Sequence, residues 1–269
     1  MTKFDIITKQ LRKEVIDMHT NSGTSHIASS LSCIDIIIVL YNKIMKIDST
    51  KPNAPDRDRF ILSKGHSAPA LYAVLSQKGF FDKNLLLDYG KDGTILFEHP
   101  EINSVSGIEA STGSLGHGLP IGLGIAYASK LSRVNYNVFV LMSDGECQEG
   151  SVWEAAMLAP QLGLNNLICI VDYNDLQGYG RTSDIQSDIK IVGRFVSSGW
   201  NLIEVDGHDH YSLEKCFREA IELENKPTLI LARTTKGKGV SQIENKLEWH
   251  YKSPTKDQAE EFKNEVDRN

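Results

Sequence analysis

Two clusters of acid and amide side chains carry the strongest chemical signal in the sequence. Ser143-Asp144-Gly145-Glu146 closes the apolar run Val138–Met142, and Asp172-Tyr173-Asn174-Asp175 closes a second run, Leu167–Val171. Such short apolar runs form buried parallel strands, and a helical pattern from about Gln148 to Leu162 lies between them. The spacing is that of one strand–helix–strand crossover. It sets Asp144 beside Asn174 at the carboxyl edge of a sheet, where open α/β sheets bind their ligands. One carboxylate, one amide oxygen, the backbone carbonyl of Leu176 and a diphosphate would complete the octahedral oxygen shell of Mg²⁺. Ca²⁺ or Mn²⁺ accepts similar donors. Gly145 allows a phosphate to approach the backbone, and the helix N-terminus after it favours negative charge. Taken singly, Asp144 and Asn174 are also ordinary turn formers.

Histidines recur in comparable places. His66, in Ser63-Lys64-Gly65-His66, follows the run Phe60–Leu62 and precedes a helix expected from about Pro69 to Lys78. Its imidazole could donate to a phosphate oxygen or simply cap the strand end. His26 ends the loop Asn21–His26, after an amphipathic helix over 3–20 whose apolar stripe is Phe4, Ile7, Leu11, Val15 and Met18. An apolar helix is expected to follow over Ser32–Met45 with Ser32 as its N-cap. His99 lies in Glu98-His99-Pro100-Glu101, within a loop-rich stretch, and His250 in Trp249-His250-Tyr251. The segment Ser111–Pro120 is rich in glycine and runs into a Gly/Ala-rich helix through Ala128. It could lie against a flat ligand or be a tight turn before a closely packed helix, and it has neither dinucleotide nor Walker spacing.

To hold these residues at one edge, the chain needs strands near 60–62, 138–142, 167–171, 202–205 and 228–232, with helices between them. That alternation predicts an α/β fold: a doubly wound, mainly parallel sheet with helices on both faces. With 269 residues, 41% of them hydrophobic, a single domain over 1–269 can bury a full core. The last, highly charged helix, expected after Ser253-Pro254, reads as a surface element. A net charge of −6 without a basic stripe argues against nucleic acid as a partner. The most apolar stretch, Ile34–Leu40, is too short to span a bilayer and contains Asp35, and residues 1–20 are polar and amphipathic rather than signal-like. Four cysteines lack CxxC spacing and give no zinc site, and Cys33 and Cys169, set in apolar runs, read as reduced core thiols, which suits a cytoplasmic protein.

In order, Asp-Gly-Glu, Glu-Gly-x-x-Trp-Glu-Ala, Asp-x-Asn and Gln-Gly-Tyr-Gly-x-Thr resemble the diphosphate-binding signature of thiamine-diphosphate enzymes, specifically transketolases. Ser143 departs from it, standing where the signature usually has Gly. The resemblance covers nearly the whole chain, which looks like the N-terminal, pyrophosphate-binding half of a transketolase. By that resemblance Asp144, Asn174 and Leu176 would hold the metal, and His66 would contact the diphosphate. Gly113, Ser114 and Leu115 would line the aminopyrimidine, with Gly145 and Glu149 also in the cofactor site. His26, His99 and His250 would surround the reacting sugar oxygens, and His99 and His250 would also touch the cofactor.

The chemistry so implied is transfer of a two-carbon ketol unit from a ketose, or its phosphate, to an aldose, with thiamine diphosphate holding the electrons when the C2–C3 bond breaks. In the family, a pyrimidine-binding domain that carries the activating glutamate follows this half. The sequence stops soon after His250, so the expectation is a split enzyme: this chain with a separate C-terminal subunit, as α2β2. Two alternatives are the α-subunit of a 2-oxo-acid dehydrogenase and a non-catalytic member of the fold. A nicotinamide-dependent dehydrogenase would need a glycine fingerprint that is absent.

Overall fold

A computed structural model describes residues 3–185 and 188–268. Five strands form one sheet: β1 (Arg59–Leu62), β2 (Val138–Ser143), β3 (Leu167–Tyr173), β4 (Asn201–Asp206) and β5 (Thr228–Arg233). Their order is β1-β2-β3-β5-β4, and every neighbouring pair is parallel. Helices α1 (Lys3–Ser22), α2 (Ile27–Val39), α3 (Ala68–Gln77), α4 (Gly118–Ser132) and α5 (Gly150–Gln161) come first in the chain. The short α6 (Thr182–Ile185), then α7 (Asp188–Ser197), α8 (His210–Glu222) and α9 (Lys256–Arg268) complete the set.

The strands alternate their side chains between two apolar layers, as a period of two requires. Phe139, Leu141, Ile168, Ile170 and Ile230 join a core with α1, α2, α3, α8 and α9. Val138, Val140, Cys169, Val171 and Leu229 join a second core with α4, α5 and α7. Both faces are therefore covered, which is why the strands read as continuous apolar runs. All four cysteines are buried and free.

Two helix starts stand apart from expectation. The helix expected at Ser32 begins at Ile27, and Ser32 is buried inside it, so it caps nothing. Its hydroxyl donates to Asp172 at 2.8 Å. With the π-helical turn Leu40–Ile44, the stretch Ile27–Ile44 is long and apolar enough to cross a membrane, although the run Ile34–Leu40 alone is not. In the fold 83% of that stretch is buried against protein. The last helix starts at Lys256 rather than after Ser253, because Thr255 and Gln258 form a reciprocal capping box. Nor is it only a surface element: Ala259, Phe262 and Val266 are buried in the first core.

Candidate functional site

Parallel strands deliver their carboxyl ends to one edge, and the chain concentrates its titratable groups there. Asp144 is the first residue after β2 and Asn174 the first after β3, and these two strands pair with Ser143 opposite Asp172. Lys64 follows β1 by two residues, and Lys236 follows β5 by three. His26 stands at the start of α2, and the segment ending at His250 folds back over the same edge. The two loops are joined by the His26 N–H donating to the His250 carbonyl at 3.2 Å. His26 adopts φ 75°, a left-handed conformation uncommon outside glycine, and caps α2 without a side-chain hydrogen bond.

A cavity of about 370 Å³ opens between these pieces and includes His26, His66, His99, Asp144, Asn174 and His250 in its wall. The rings of His26, His66 and His250 pack together, with centroids 5.2, 4.9 and 6.1 Å apart. Burial, seconded by nearby cationic groups, lowers His26 to about 4 and His250 to about 3, and drives His66 well below the usual imidazole range. All three are neutral at pH 7, so each offers one N–H donor and one bare nitrogen.

The strand ends beneath are tied by a buried ion pair. Lys64 and Asp172 pair across β2 with side chains 1% and 0% exposed. Asp172 also accepts from Ser32 and Thr234. Burial opposes charge on both partners, but their mutual attraction prevails, holding Asp172 low and Lys64 high. Lys236, 2% exposed, donates to the Leu176 carbonyl at 2.7 Å and meets His250 Nδ1 at 2.8 Å. An ammonium can only donate, so Nδ1 accepts and the proton of neutral His250 sits on Nε2. Burial, aided by the Lys64 charge, brings Lys236 down to about 8.

The residues fit a metal-bound diphosphate. Asp144 accepts from Gly145 N–H at 2.8 Å, Asp175 N–H at 2.9 Å and the Thr182 hydroxyl at 2.9 Å, which fixes its carboxylate. Burial raises its pKa, a cost that a bound cation would offset. Asn174 Oδ1 accepts from Leu176 N–H at 3.1 Å, while its amide donates to Ser32. Among the described residues no group of three His, Cys, Asp or Glu could hold a metal. An oxygen site with a single carboxylate would therefore lean on phosphate and water oxygens. Gln177 Nε2 is buried without a hydrogen-bond partner, although its residue lines the cavity. A Cβ at Gly145 would lie 3.1 Å from that side chain, and one at Gly113, where φ is 145°, would lie 3.0 Å from His99. Both glycines keep the cradle open.

Most residues expected from the sequence meet in this cavity: Gly113, Leu115, Gly145, Glu149 and Leu176 line it with the histidines. Ser114 is exposed and stands outside its wall. Ser143, in place of glycine, keeps the turn closed by accepting from Glu146 N–H at 3.2 Å. The sequence reading overlooked the roles of Lys64, Asp172 and Lys236. Lysines read as surface residues, and the only local hint was their position just past strand ends.

Comparisons with known proteins agree with this geometry. A family model described as the transketolase thiamine diphosphate binding domain matches residues 5–268. One of the named subunits of the apulose-4-phosphate transketolase of Phocaeicola vulgatus is 40% identical, covering 97% of this chain and 93% of that protein. The 6-deoxy-6-sulfo-D-fructose transketolase subunit SqwG of a Clostridium species is 38% identical over 89% of this chain and 87% of its own length. A solved transketolase from Leishmania mexicana superposes with a TM-score of 0.91 at 28% identity, over all of this chain and 42% of that one. The chain thus spans about two fifths of that solved enzyme.

Proposed function

We propose, from the premise that this chain belongs to the transketolase thiamine-diphosphate-binding family, that it is the N-terminal subunit of a split transketolase. With a separate C-terminal, pyrimidine-binding subunit it transfers a two-carbon ketol unit from a ketose or ketose phosphate to an aldose. The observation that carries this reading is the meeting of Asp144, Asn174 and the Leu176 carbonyl with His26, His66 and His250 in one cavity. Partner dependence is supported by relatives named as subunits, which this chain covers over 93% and 87% of their length. Those names favour a transketolase over the α-subunit of a 2-oxo-acid dehydrogenase. Residues 1–269 form the single pyrophosphate-binding domain of a cytoplasmic α2β2 enzyme.

Asp144, Asn174 and Leu176 would hold Mg²⁺, or Ca²⁺ or Mn²⁺, against the diphosphate. Gly145, His66 and the Gln177 amide would receive its other contacts, Glu149 would also lie in the cofactor site, and the Lys236 ammonium would offset the diphosphate charge. Gly113 and Leu115 would line the aminopyrimidine from the cavity wall, with Ser114 at its exposed rim. When bound, thiamine diphosphate supplies a nucleophilic carbon and an electron sink. His26, His99 and His250 face the sugar. The neutral imidazole of His26 can take a proton from a substrate hydroxyl and return it within one turnover. The His250 Nε2–H, fixed by Lys236 on the other nitrogen, donates to developing negative charge on a substrate oxygen.

The test is ketol transfer by the purified chain with Mg²⁺, thiamine diphosphate, a ketose phosphate and an aldose, with and without the candidate C-terminal subunit. Activity is expected only with both chains. Full turnover by this polypeptide alone would overturn the split assignment.

A further inference from the structure

A buried charge cluster behind the cavity has no part in the reaction just described. Asp35, on α2, has a side chain 3% exposed and pairs with Arg12. It also accepts from two imidazoles, His208 Nδ1 at 2.8 Å and His210 Nε2 at 2.9 Å. His208 lies on the loop after β4 and faces two ways. Its Nδ1 points to Asp35, while its Nε2 accepts the backbone N–H of Thr235 at 2.8 Å. These two contacts define the ring: the proton sits on Nδ1 and the lone pair on Nε2.

Thr235 stands between two residues on which the cavity depends. Thr234 donates its hydroxyl to Asp172, and Lys236 reaches the Leu176 carbonyl and His250. The segment is pinned at intervals along its backbone: Thr234 N–H to the Tyr173 carbonyl at 3.0 Å, and Gly237 N–H to the Ala28 carbonyl at 2.9 Å. Arg12 adds a hydrogen bond to the Lys238 carbonyl at 2.8 Å. The cluster of Asp35, His208 and Arg12 therefore grips the strand-to-loop exit on either side of Lys236. Gly207 makes the close approach possible, since a Cβ there would lie 2.4 Å from Thr234 Cγ2.

We propose that His208, oriented by Asp35, is a positioning residue that fixes the Thr234–Lys236 backbone and thereby aims Lys236 at the Leu176 carbonyl and His250. The inference rests on the reading of Lys236 as part of the diphosphate site. His208 itself touches no substrate and acts only through the Thr235 peptide.

Asparagine and glutamine separate the two halves of the His208 contact. In His208→Asn the shorter amide can still donate to Asp35 but leaves the Thr235 N–H without its acceptor. In His208→Gln the longer side chain carries an amide oxygen to the Nε2 position and restores that acceptor. The full chain and these variants, with Lys236→Met as reference, are titrated calorimetrically with Mg²⁺ and thiamine diphosphate, and amide hydrogen exchange is followed at Thr235. His208→Asn is expected to bind about tenfold more weakly, the scale of one lost hydrogen bond, and to exchange Thr235 about tenfold faster. His208→Gln should stay close to the parent in both. Parent-like affinity and exchange in His208→Asn, beside weakened Lys236→Met, would overturn the inference and leave the proposed function standing. If neither the parent nor Lys236→Met bound the cofactor, the functional reading would fall. Thr235 exchange would then decide the positioning role alone, and unchanged protection in His208→Asn would refute it.

Discussion

The two edges of this sheet carry cavities of opposite character, and the larger is the less informative. At the amino edge, a groove of about 830 Å³ is lined by Asn135, Asn137, Asn165, Asn166 and Asn225. Its polar groups are largely occupied with the fold itself. The Asn166 amide donates to the Ala126 and Tyr136 carbonyls, Asp58 accepts from the Lys46 and Asn137 N–H groups, and Lys130 binds the Leu162 carbonyl. The carboxyl-edge cavity is less than half that size, yet it gathers three imidazoles with depressed pKa values, a displaced lysine and an amide without a partner. Perturbed titration and unspent bonding capacity mark a working site better than volume does.

The sharpest way to break the contrast is to remove the metal donors. Asp144→Ala and Asn174→Ala should each abolish binding of Mg²⁺ and thiamine diphosphate without unfolding the chain, whereas Asn165→Ala at the amino edge should bind as the parent does. Calorimetry reads all three, and unchanged affinity in both carboxyl-edge variants would remove the metal assignment. Next in size, His26→Ala or His250→Ala should lower turnover of the reconstituted enzyme about 10²- to 10⁴-fold, the usual cost of losing a positioned proton carrier. Cofactor affinity should change far less, and parent-like turnover would reduce that histidine to a structural one.

A third contrast concerns ion pairs. Lys64→Met strands the Asp172 carboxylate in the core and should destabilise the chain by about 3–5 kcal/mol in urea unfolding. Removing the exposed Lys46–Asp56 pair by Asp56→Asn should leave the unfolding midpoint where it was, because solvent already screens it. Equal effects would erase the distinction between the edges.

The smallest effect is a slope. His26 and His250 have folded pKa values of about 4 and 3, below the ordinary 6.5, so the unfolded chain takes up their protons first on acidification. Their contribution to stability is complete above pH 6.5 and is lost as pH falls toward the folded values. Asp144 and Glu146, raised by burial, act with the opposite sign. Comparing parent with His26→Gln isolates the imidazole: the variant should show a shallower loss of unfolding midpoint between pH 6.5 and 4. Superimposable pH profiles would count against a buried neutral His26.

Much of this was legible in the sequence because it is local. Each strand is a short apolar run, and Asp144, Asn174 and His66 fall within four residues after such runs. What escaped depends on distant partners. Ser32 resembles a helix cap by residue type, yet its hydroxyl is directed to Asp172, 140 positions away. The helix truly starts behind His26, whose left-handed backbone and lack of a side-chain cap leave no compositional signal. The 108 positions between Lys64 and Asp172 hide a pairing that only strand order reveals. At the far end, Ser253-Pro254 mimics a helix start that the Thr255–Gln258 pair supplies.

Strand order also sets a timetable. β1 ends at Leu62 and its partner β2 begins only at Val138, while β4 waits for β5 on its inner side. Pairings that distant are slow to close, since loop entropy is spent before any ladder forms. The cavity lags further still, needing Lys236 and His250, which follow the last strand, to settle over edges already built. The sheet can be complete while the Leu176 carbonyl and the His26 and His66 rings still lack their Lys236 and His250 neighbours. The pocket is thus finished only after its sheet, and a chain arrested before His250 would carry the scaffold without its chemistry.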